Sequence, residues 1–176
     1  MKQIKFIAIS ILFASILCIG CKNSDDATVS FSEKIEMTAA EKETAKTEIS
    51  NANTQIVSNL NALNVEASMQ GYSKNLKSVS VAGATLTYQE LENENKAAFA
   101  GLKSFNLTKV NEDFLFISNT YVLCTWTGTL EVELKTGERF KNDIHTASLL
   151  YSKIDNEWKI VYEHGSETPA KVVVEE

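Results

Sequence analysis

The residue best suited to acid–base chemistry is a histidine near the end of the chain. His164 is one of two histidines in the sequence, and histidine is the side chain that changes its charge nearest to neutral pH. Side chains alternate between two faces along a strand, so His164 would share a face with Trp158, Ile160 and Tyr162. We predict that His164 acts as a general base or orients a ligand's carbonyl; a structural histidine bonded to backbone is the alternative.

The second candidate site is the pair Asp143 and His145. Residues two apart in a strand point the same way, and an aspartate beside an imidazole can fix its tautomer for proton transfer. The other residues on this predicted face are typical of a partly exposed or dimer-facing surface: Lys141, Ala147, Leu149, Tyr151 and Lys153. We therefore predict Asp143 and His145 as catalytic candidates in addition to His164.

Four aromatic residues are predicted to bind a ligand, because tyrosine and tryptophan combine an apolar ring with one polar hydrogen. They are Tyr88, Trp126, Trp158 and Tyr162. Packing in the core is the alternative for Tyr88 and Trp126.

Other kinds of chemistry have little support in the sequence. Cys124 has no histidine near it in sequence, so we interpret it as a small buried hydrophobic residue. Two histidines and no spaced cluster of Cys, His and Asp argue against a protein-bound metal. The sequence has neither a phosphate-binding glycine loop nor a Gly-x-Ser-x-Gly motif. We predict that the protein uses no cofactor.

Helices are predicted for the first part of the chain. Three segments have the capping-box form, in which a Thr or Ser side chain and a Glu side chain cap the same helix start: 30–33, 38–41 and 87–90. Apolar residues at steps of three and four over 45–67 predict a long helix that Gly71 ends. A similar pattern over 91–102 predicts a shorter helix.

After residue 104 the apolar period changes to two, which predicts strands. We predict four of them: 104–117, 120–134, 139–154 and 157–165. Their short connections imply antiparallel neighbours, and the apolar residues at even positions from Val122 to Leu134 form a face that must be covered. The predicted fold is therefore α+β, with N-terminal helices packed on a strongly curved four-stranded antiparallel sheet that leaves a concavity.

The first twenty residues have the charge pattern of a signal peptide. Lys2 and Lys5 precede an apolar run shorter than the ~20 residues of a spanning helix, and its end resembles a bacterial lipoprotein cleavage site. On this resemblance Cys21 carries the lipid and Cys18 is removed with residues 1–20; a redox or zinc pair is the less favoured alternative. We predict an acidic tether at 21–32, a folded domain at 33–168 and a C-terminal tail at 169–176.

The charge balance argues against nucleic acid as a partner. The chain has 17 basic and 23 acidic residues and a net charge of −6. Loss of Lys2 and Lys5 with the signal peptide would make this charge more negative. The single arginine, Arg139, and the scattered lysines form no basic cluster for phosphate binding.

The last predicted strand carries a resemblance to a known family. Segment 155–166, DNEWKIVYEHGS, contains a turn, then Trp-Lys-Ile-Val, then His-x-Ser, and resembles the end of SnoaL-like domains in the nuclear transport factor 2-like superfamily. The order of elements over 38–166 is also similar to that family. The resemblance implies a cone-like, cystatin-like α+β roll, often dimeric, whose hollow binds or transforms small apolar molecules. Members include ketosteroid isomerase, scytalone dehydratase and polyketide cyclases.

Two functions remain open. The favoured one is a membrane-tethered domain that binds a small apolar ligand or a protein partner in or on the cone, without catalysis. The alternative is a cofactor-free isomerase, dehydratase or polyketide cyclase-type enzyme with a pocket His or Asp as general base. The family's enzymes place an acid in the pocket, and the sequence alone matches no numbered residue to it. We also expect a homodimer through the open face of the sheet, and an exported, outer-membrane lipoprotein on the periplasmic side or at the cell surface.

Overall fold

The described part of the chain, residues 36–173 of a computed structural model, starts with a capped helix. Helix α1 (Ala39–Asn61) begins after Thr38, whose Oγ1 accepts a hydrogen bond from the Glu41 N–H at 3.3 Å. The Glu41 carboxylate in turn accepts from the Thr38 N–H at 2.7 Å. The capping box at 38–41 is thus confirmed. The box at 30–33, the signal peptide, Cys21 and the acidic tether lie outside the described residues.

The predicted long helix is broken after α1. Leu63 has a φ of 57°, a left-handed conformation that a right-handed helix does not contain. Helix α2 (Val65–Ser68) and a 3₁₀ turn (Met69–Gly71) follow it. The prediction of one continuous helix up to Gly71 is therefore wrong in its last third.

Helix α3 (Tyr88–Ala100) begins with the capping box that the sequence predicted at 87–90. The Thr87 Oγ1 accepts from the Glu90 N–H at 3.4 Å, and the Glu90 carboxylate accepts from the Thr87 N–H at 2.9 Å. Leu102 lies in a strand instead of ending this helix. Within residues 36–173, none of the helices combines the length and the apolar content that crossing a membrane requires.

Within the described residues, seven strands form one mixed sheet. They are β1 (Tyr72–Val79), β2 (Thr85–Thr87), β3 (Leu102–Phe116), β4 (Tyr121–Leu134), β5 (Arg139–Ile154), β6 (Glu157–Glu167) and β7 (Lys171–Val172). The order is β2-β1-β6-β5-β4-β3, and β7 pairs with β5. β1 runs parallel to β6, and the other pairs are antiparallel.

The four predicted strands correspond to β3, β4, β5 and β6, and the α+β class is confirmed. The prediction of a four-stranded, wholly antiparallel sheet is wrong, because it leaves out β1, β2 and β7. Most of β1 is polar, with the sequence YSKNLKSV, and shows no simple apolar alternation. β2 and β7 are only three and two residues long, and β7 lies within the predicted C-terminal tail.

The sheet curves around α1. Near one end of α1, Asn61 Nδ2 donates to the Leu107 carbonyl of β3 at 3.0 Å. Near the middle of α1, the Glu48 carboxylate accepts from Trp158 Nε1 of β6 at 2.8 Å. Strands β4 and β5 lie between β3 and β6, so α1 lies across the sheet over these two strands. The apolar side of β4 forms part of this concave face and is covered, as predicted.

Strands β5 and β6 each contain a register shift. The neighbouring residues Leu150 and Tyr151 of β5 pair with Tyr162 and Ile160 of β6, which leaves Val161 as an extra residue. An extra residue moves every later side chain of a strand to the opposite face. The faces of β5 and β6 therefore cannot be assigned by counting in twos along the whole strand.

Candidate functional site

A cavity of about 310 Å³ lies between the helices and the concave face of the sheet. Its volume is at the lower end of the range for small-molecule sites, about 300–1,000 Å³. Much of the wall is apolar, including Ile56, Leu91, Phe99, Phe105, Leu107 and Leu149. Val81 and Glu94 are lining residues that remain exposed and mark the mouth.

Glu163 of β6 is an acidic residue of the cavity wall. Tyr72 Oη donates to its Oε2 at 2.8 Å, and Ser78 Oγ donates to its Oε1 at 3.1 Å. Burial raises the pKa of the Glu163 carboxyl, although both hydroxyl donors and the nearby His145 act in the opposite direction. A raised pKa increases the protonated fraction, which can donate a proton.

His145 of β5 lines the same cavity. Its Nδ1 lies 3.3 Å from the Glu167 carboxylate, and its ring meets the Trp126 ring edge-on with 6.5 Å between centroids. A carboxylate beside Nδ1 favours the tautomer that carries the proton there and leaves Nε2 as the basic nitrogen. The cavity therefore contains a carboxyl whose pKa is raised by burial and an imidazole oriented by a second carboxylate.

The bulge at Val161 decides which side chains of β6 reach the cavity. Trp158 and Ile160 are buried before the bulge, and Glu163 lies in the cavity wall after it. Tyr162 and His164 are exposed. The expectation that His164 shares a face with Trp158 and Ile160 is therefore wrong, and His164 does not line the cavity.

The register shift in β5 separates Asp143 from His145. Gly128 and Leu130 of β4 pair with His145 and Asn142, so β5 has one residue more than β4 over this stretch. Asp143 is exposed and forms an ion pair with Lys171 of β7, which lowers the pKa of its carboxyl. The expectation that Asp143 and His145 point the same way is wrong, and the carboxylate at His145 belongs to Glu167 instead.

Trp126 of β4 lines the cavity, as its predicted role in ligand binding requires. It is 3% exposed, and its Nε1 has no hydrogen-bond partner within the part of the chain that the structure describes. The ring extends over Gly128, where a Cβ atom would overlap with the indole and with the Thr108 carbonyl. Gly128 thus lets a large indole fill this part of the wall.

The other predicted aromatic residues lie elsewhere. Tyr88 is buried in the core, and its hydroxyl donates to the Met69 carbonyl at 3.4 Å. Trp158 is buried and lines an outer groove between α1 and the β5–β6 turn, where it donates to Glu48. Tyr162 is 38% exposed. Of the four aromatic residues predicted to bind a ligand, Trp126 is the one in the cavity wall.

A hydrogen-bond network holds α1 against the sheet beside the cavity. Tyr151 Oη donates to Asn53 Oδ1 at 2.5 Å, and Asn53 Nδ2 donates to Glu112 Oε1 at 3.0 Å. Ser50 Oγ donates to the other Glu112 oxygen at 2.8 Å. Asn53 also lines the cavity, so a fully bonded side chain fixes this part of its wall.

Cys124 is completely buried, and burial raises the pKa of its thiol to about 12. A thiol with this pKa carries almost no thiolate at neutral pH, so the residue packs as a hydrophobic side chain. Among residues 36–173, no three or more His, Cys, Asp or Glu side chains are placed to hold a metal ion.

The sequence did not indicate Glu163, Tyr72 or Ser78. Glu163 falls on the wrong face when β6 is counted without its bulge, and Tyr72 and Ser78 belong to the unpredicted β1. Glu163 and Glu94 are the acidic residues of the described cavity lining, and Glu163 is the one held by hydrogen bonds from β1.

The fold is similar to that of solved structures, whereas the sequence matches no protein-family model and no curated protein. A protein from Novosphingobium aromaticivorans assigned as a scytalone dehydratase superposes with a TM-score of 0.72 at 9% identity, over 79% of this chain and 94% of that one. A hexachlorocyclohexane dehydrochlorinase, LinA-type3, from Novosphingobium barchaimii gives 0.68 at 11% identity, over 77% and 94%.

A third similar structure belongs to the nuclear transport factor 2-like family. This protein from Streptomyces avermitilis, assigned as a dehydratase, gives a TM-score of 0.63 at 14% identity, over 72% of this chain and 97% of that one. Identities this low show the fold alone. The chain therefore has the nuclear transport factor 2-like fold, as its resemblance to SnoaL-like domains predicted.

Proposed function

We propose that this domain is a cofactor-independent enzyme that moves a proton on a small, largely apolar molecule, as a dehydratase or isomerase does. The observation that carries the proposal is that His145 and Glu163 line one apolar cavity. Their environments differ, since one is oriented by Glu167 and the other is held by Tyr72 and Ser78. Two titratable groups with different environments can divide the roles of base and acid.

The proposed roles follow from the hydrogen bonds. His145 Nε2 removes a proton from a carbon of the substrate while Nδ1–H donates to Glu167. Glu163, in its protonated form, donates to the oxygen of a leaving hydroxyl or to a carbonyl. In a dehydration the C–H and C–O bonds break, a C=C bond forms and water leaves. The imidazolium and the Glu163 carboxylate then return to their starting states by exchange with solvent.

The structural neighbours support the enzyme alternative better than the favoured prediction of a non-catalytic binding domain. Their names describe a scytalone dehydratase and a hexachlorocyclohexane dehydrochlorinase. Both names denote eliminations, in which a proton leaves carbon together with a second group. The same chemistry fits a cavity that offers one base and one acid.

Deuterium exchange tests the proposal before the substrate is known. The protein is incubated in D₂O with a panel of cyclic ketones and β-hydroxyketones, and mass spectrometry measures deuterium uptake and loss of water. We expect accelerated exchange with at least one compound. The variants H145Q and E163Q should each lower the rate by roughly 10²-fold or more.

The matched control is H164Q, which alters the exposed histidine of β6 and should leave the rate unchanged. An equal loss in H164Q would contradict the assignment of His145. If the unaltered protein binds panel members but exchanges no deuterium into them, the result would instead support the non-catalytic binding function.

The location of the domain is a proposal that rests on the sequence. We propose that Cys21 is lipidated and that residues 21–32 tether the domain to the outer membrane. Metabolic labelling with a fatty acid should be lost in C21S and kept in C18S. Labelling that survives C21S would contradict it.

The predicted homodimer is likewise a proposal. Its support is the exposure of large apolar residues on the outer face of the sheet, namely Leu115, Tyr121, Ile144 and Tyr162. Light scattering of the domain at tens of micromolar should give twice the monomer mass. A monomeric mass would refute the proposal.

A further inference from the structure

The charged side chains of the cavity are acidic. The lining residues with titratable side chains are Tyr72, Glu94, His145 and Glu163, and the described lining contains no Lys or Arg. Glu94 lies at the mouth, and Glu163 lies further in. The carboxylate that orients His145, Glu167, adds a third acid beside this wall. A ligand with a negative charge would therefore either face the ionised Glu163 or require it to take up a proton, and it would find no fixed positive partner.

Low polarity around these acids strengthens the effect. Apolar side chains form most of the wall, and an ionised ligand loses its hydration when it enters such a space. Like charges a few ångströms apart repel more strongly near protein than in bulk water. A protonated His145 could offset one negative charge, but it lies against Glu167 and therefore already has a counter-ion.

The hydrogen-bonding groups that remain free in the cavity favour a ligand that both donates and accepts. Trp126 Nε1–H is a donor without a partner among the described residues. Each Glu163 oxygen accepts one bond from the protein, and a carboxylate oxygen can accept more than one. His145 Nε2 accepts when Nδ1 carries the proton. A ligand hydroxyl can accept from Trp126 and donate to Glu163 or His145, whereas an ether oxygen of the same shape can only accept.

We infer that the cavity selects uncharged ligands that carry a hydroxyl group and rejects carboxylates and other anions of the same size. The inference rests on the proposed function only in taking this cavity as the site, because it concerns binding and not turnover. The volume of about 310 Å³ sets the size class at one or two small rings.

Three aromatic probes of one shape test the inference by isothermal titration calorimetry at pH 7. These are 2-naphthol, which is neutral and donates, 2-methoxynaphthalene, which is neutral and does not donate, and 2-naphthoate, which is an anion. We expect 2-naphthol to bind most tightly. The ether should bind about tenfold more weakly, since the hydrogen bond that the hydroxyl donates is lost. The anion should bind at least about tenfold more weakly than 2-naphthol.

The variant E163Q removes the ionisable carboxyl and keeps the shape, so it should reduce the ratio of the affinity for 2-naphthol to the affinity for 2-naphthoate. The matched control is E157Q, which neutralises an exposed carboxylate outside the cavity and should leave the ratio unchanged. If E163Q does not fold, the ratios measured on the unaltered protein still decide the question.

Equal or tighter binding of 2-naphthoate would overturn the inference, and so would a lack of binding by all three probes at millimolar concentration. Failure of the proposed function would give a different result. In that case 2-naphthol binds in preference to the anion, but no compound of the ketone panel exchanges deuterium.

Discussion

Strands β4 and β6 face the same cavity from either side of β5, but their backbones are built differently. β4 has no extra residue, and its even-numbered side chains from Val122 to Gly128 are buried without interruption. β6 contains the extra residue Val161, after which odd-numbered Glu163 faces inward. The regular strand contributes bulk, mainly the indole of Trp126, whereas the bulged strand contributes the carboxyl group.

This difference shows where the polar groups of the wall are concentrated. A regular strand buries apolar side chains and satisfies its backbone in the ladder at the same time. A bulge interrupts the ladder and re-aims one side chain, and bulges are often found beside active sites. The second bulge, in β5, separates two side chains: His145 shares the inward face of Ala147 and Leu149, whereas Asp143 lies in solvent.

The largest expected effect that tests this difference between β4 and β6 is on stability. The change W126A removes a buried indole from β4 and should lower the free energy of unfolding by about 3–5 kcal/mol. Y162A removes an aromatic ring of β6 that lies outside the cavity after the bulge and should cost less than about 1 kcal/mol. Urea unfolding followed by circular dichroism measures both. Similar losses would mean that Tyr162 faces inward.

A second pair of changes adds a methyl group to each strand. G128A places a Cβ atom against the Trp126 ring and the Thr108 backbone, so it should destabilise the domain by about 1–3 kcal/mol. G165A meets Val81 at 3.3 Å, at the end of a side chain near the mouth, and should change stability by less than about 0.5 kcal/mol. Thermal unfolding of the two variants distinguishes them, and a reversed order would contradict the described packing.

A third pair concerns the carboxylate beside His145. E167Q should lower the deuterium-exchange rate by about tenfold, because an amide orients the imidazole less strongly than a carboxylate. D143N alters the carboxylate that the sequence placed beside His145 and should have no effect. Nitrogen NMR of the imidazole supplies a second readout, since the tautomer should change in E167Q alone. A tautomer change in D143N would support the pair of Asp143 and His145 that the sequence predicted.

The smallest expected effect is the dependence of stability on pH. Burial raises the pKa of Glu163 in the folded state above its ordinary value of 4.5. The folded state therefore loses stability as the pH rises from about 4.5 through the raised value, because the unfolded chain ionises more easily. The variant E163Q lacks this loss. The unfolding free energy of E163Q minus that of the unaltered protein should therefore increase with pH in that interval. Parallel curves would contradict the raised pKa.

The sequence was informative where side chains repeat with a regular period. Four long strands, two capping boxes and the buried face of β4 follow from local pattern, and the last strand was the most specific part of the resemblance to the family. Of the site residues, His145 and Trp126 were predicted, whereas Glu163 was not, since it faces the cavity only because of the extra residue Val161. A bulge depends on pairing with distant strands and leaves no periodic signal of its own. The need for glycine at position 128 likewise comes from a contact in the folded structure, with the Trp126 ring.

Two of the hydrogen bonds that β6 makes join residues far apart in the chain. Glu48 and Trp158 are 110 positions apart, and Tyr72 and Glu163 are 91 apart. Contacts of this length form late, since the entropy of closing large loops must be overcome first. During synthesis, α1 therefore leaves the ribosome long before β6 exists to complete the wall. Chains that stop before β6 would expose the apolar faces of α1 and β4, and we expect such fragments to aggregate instead of folding partway.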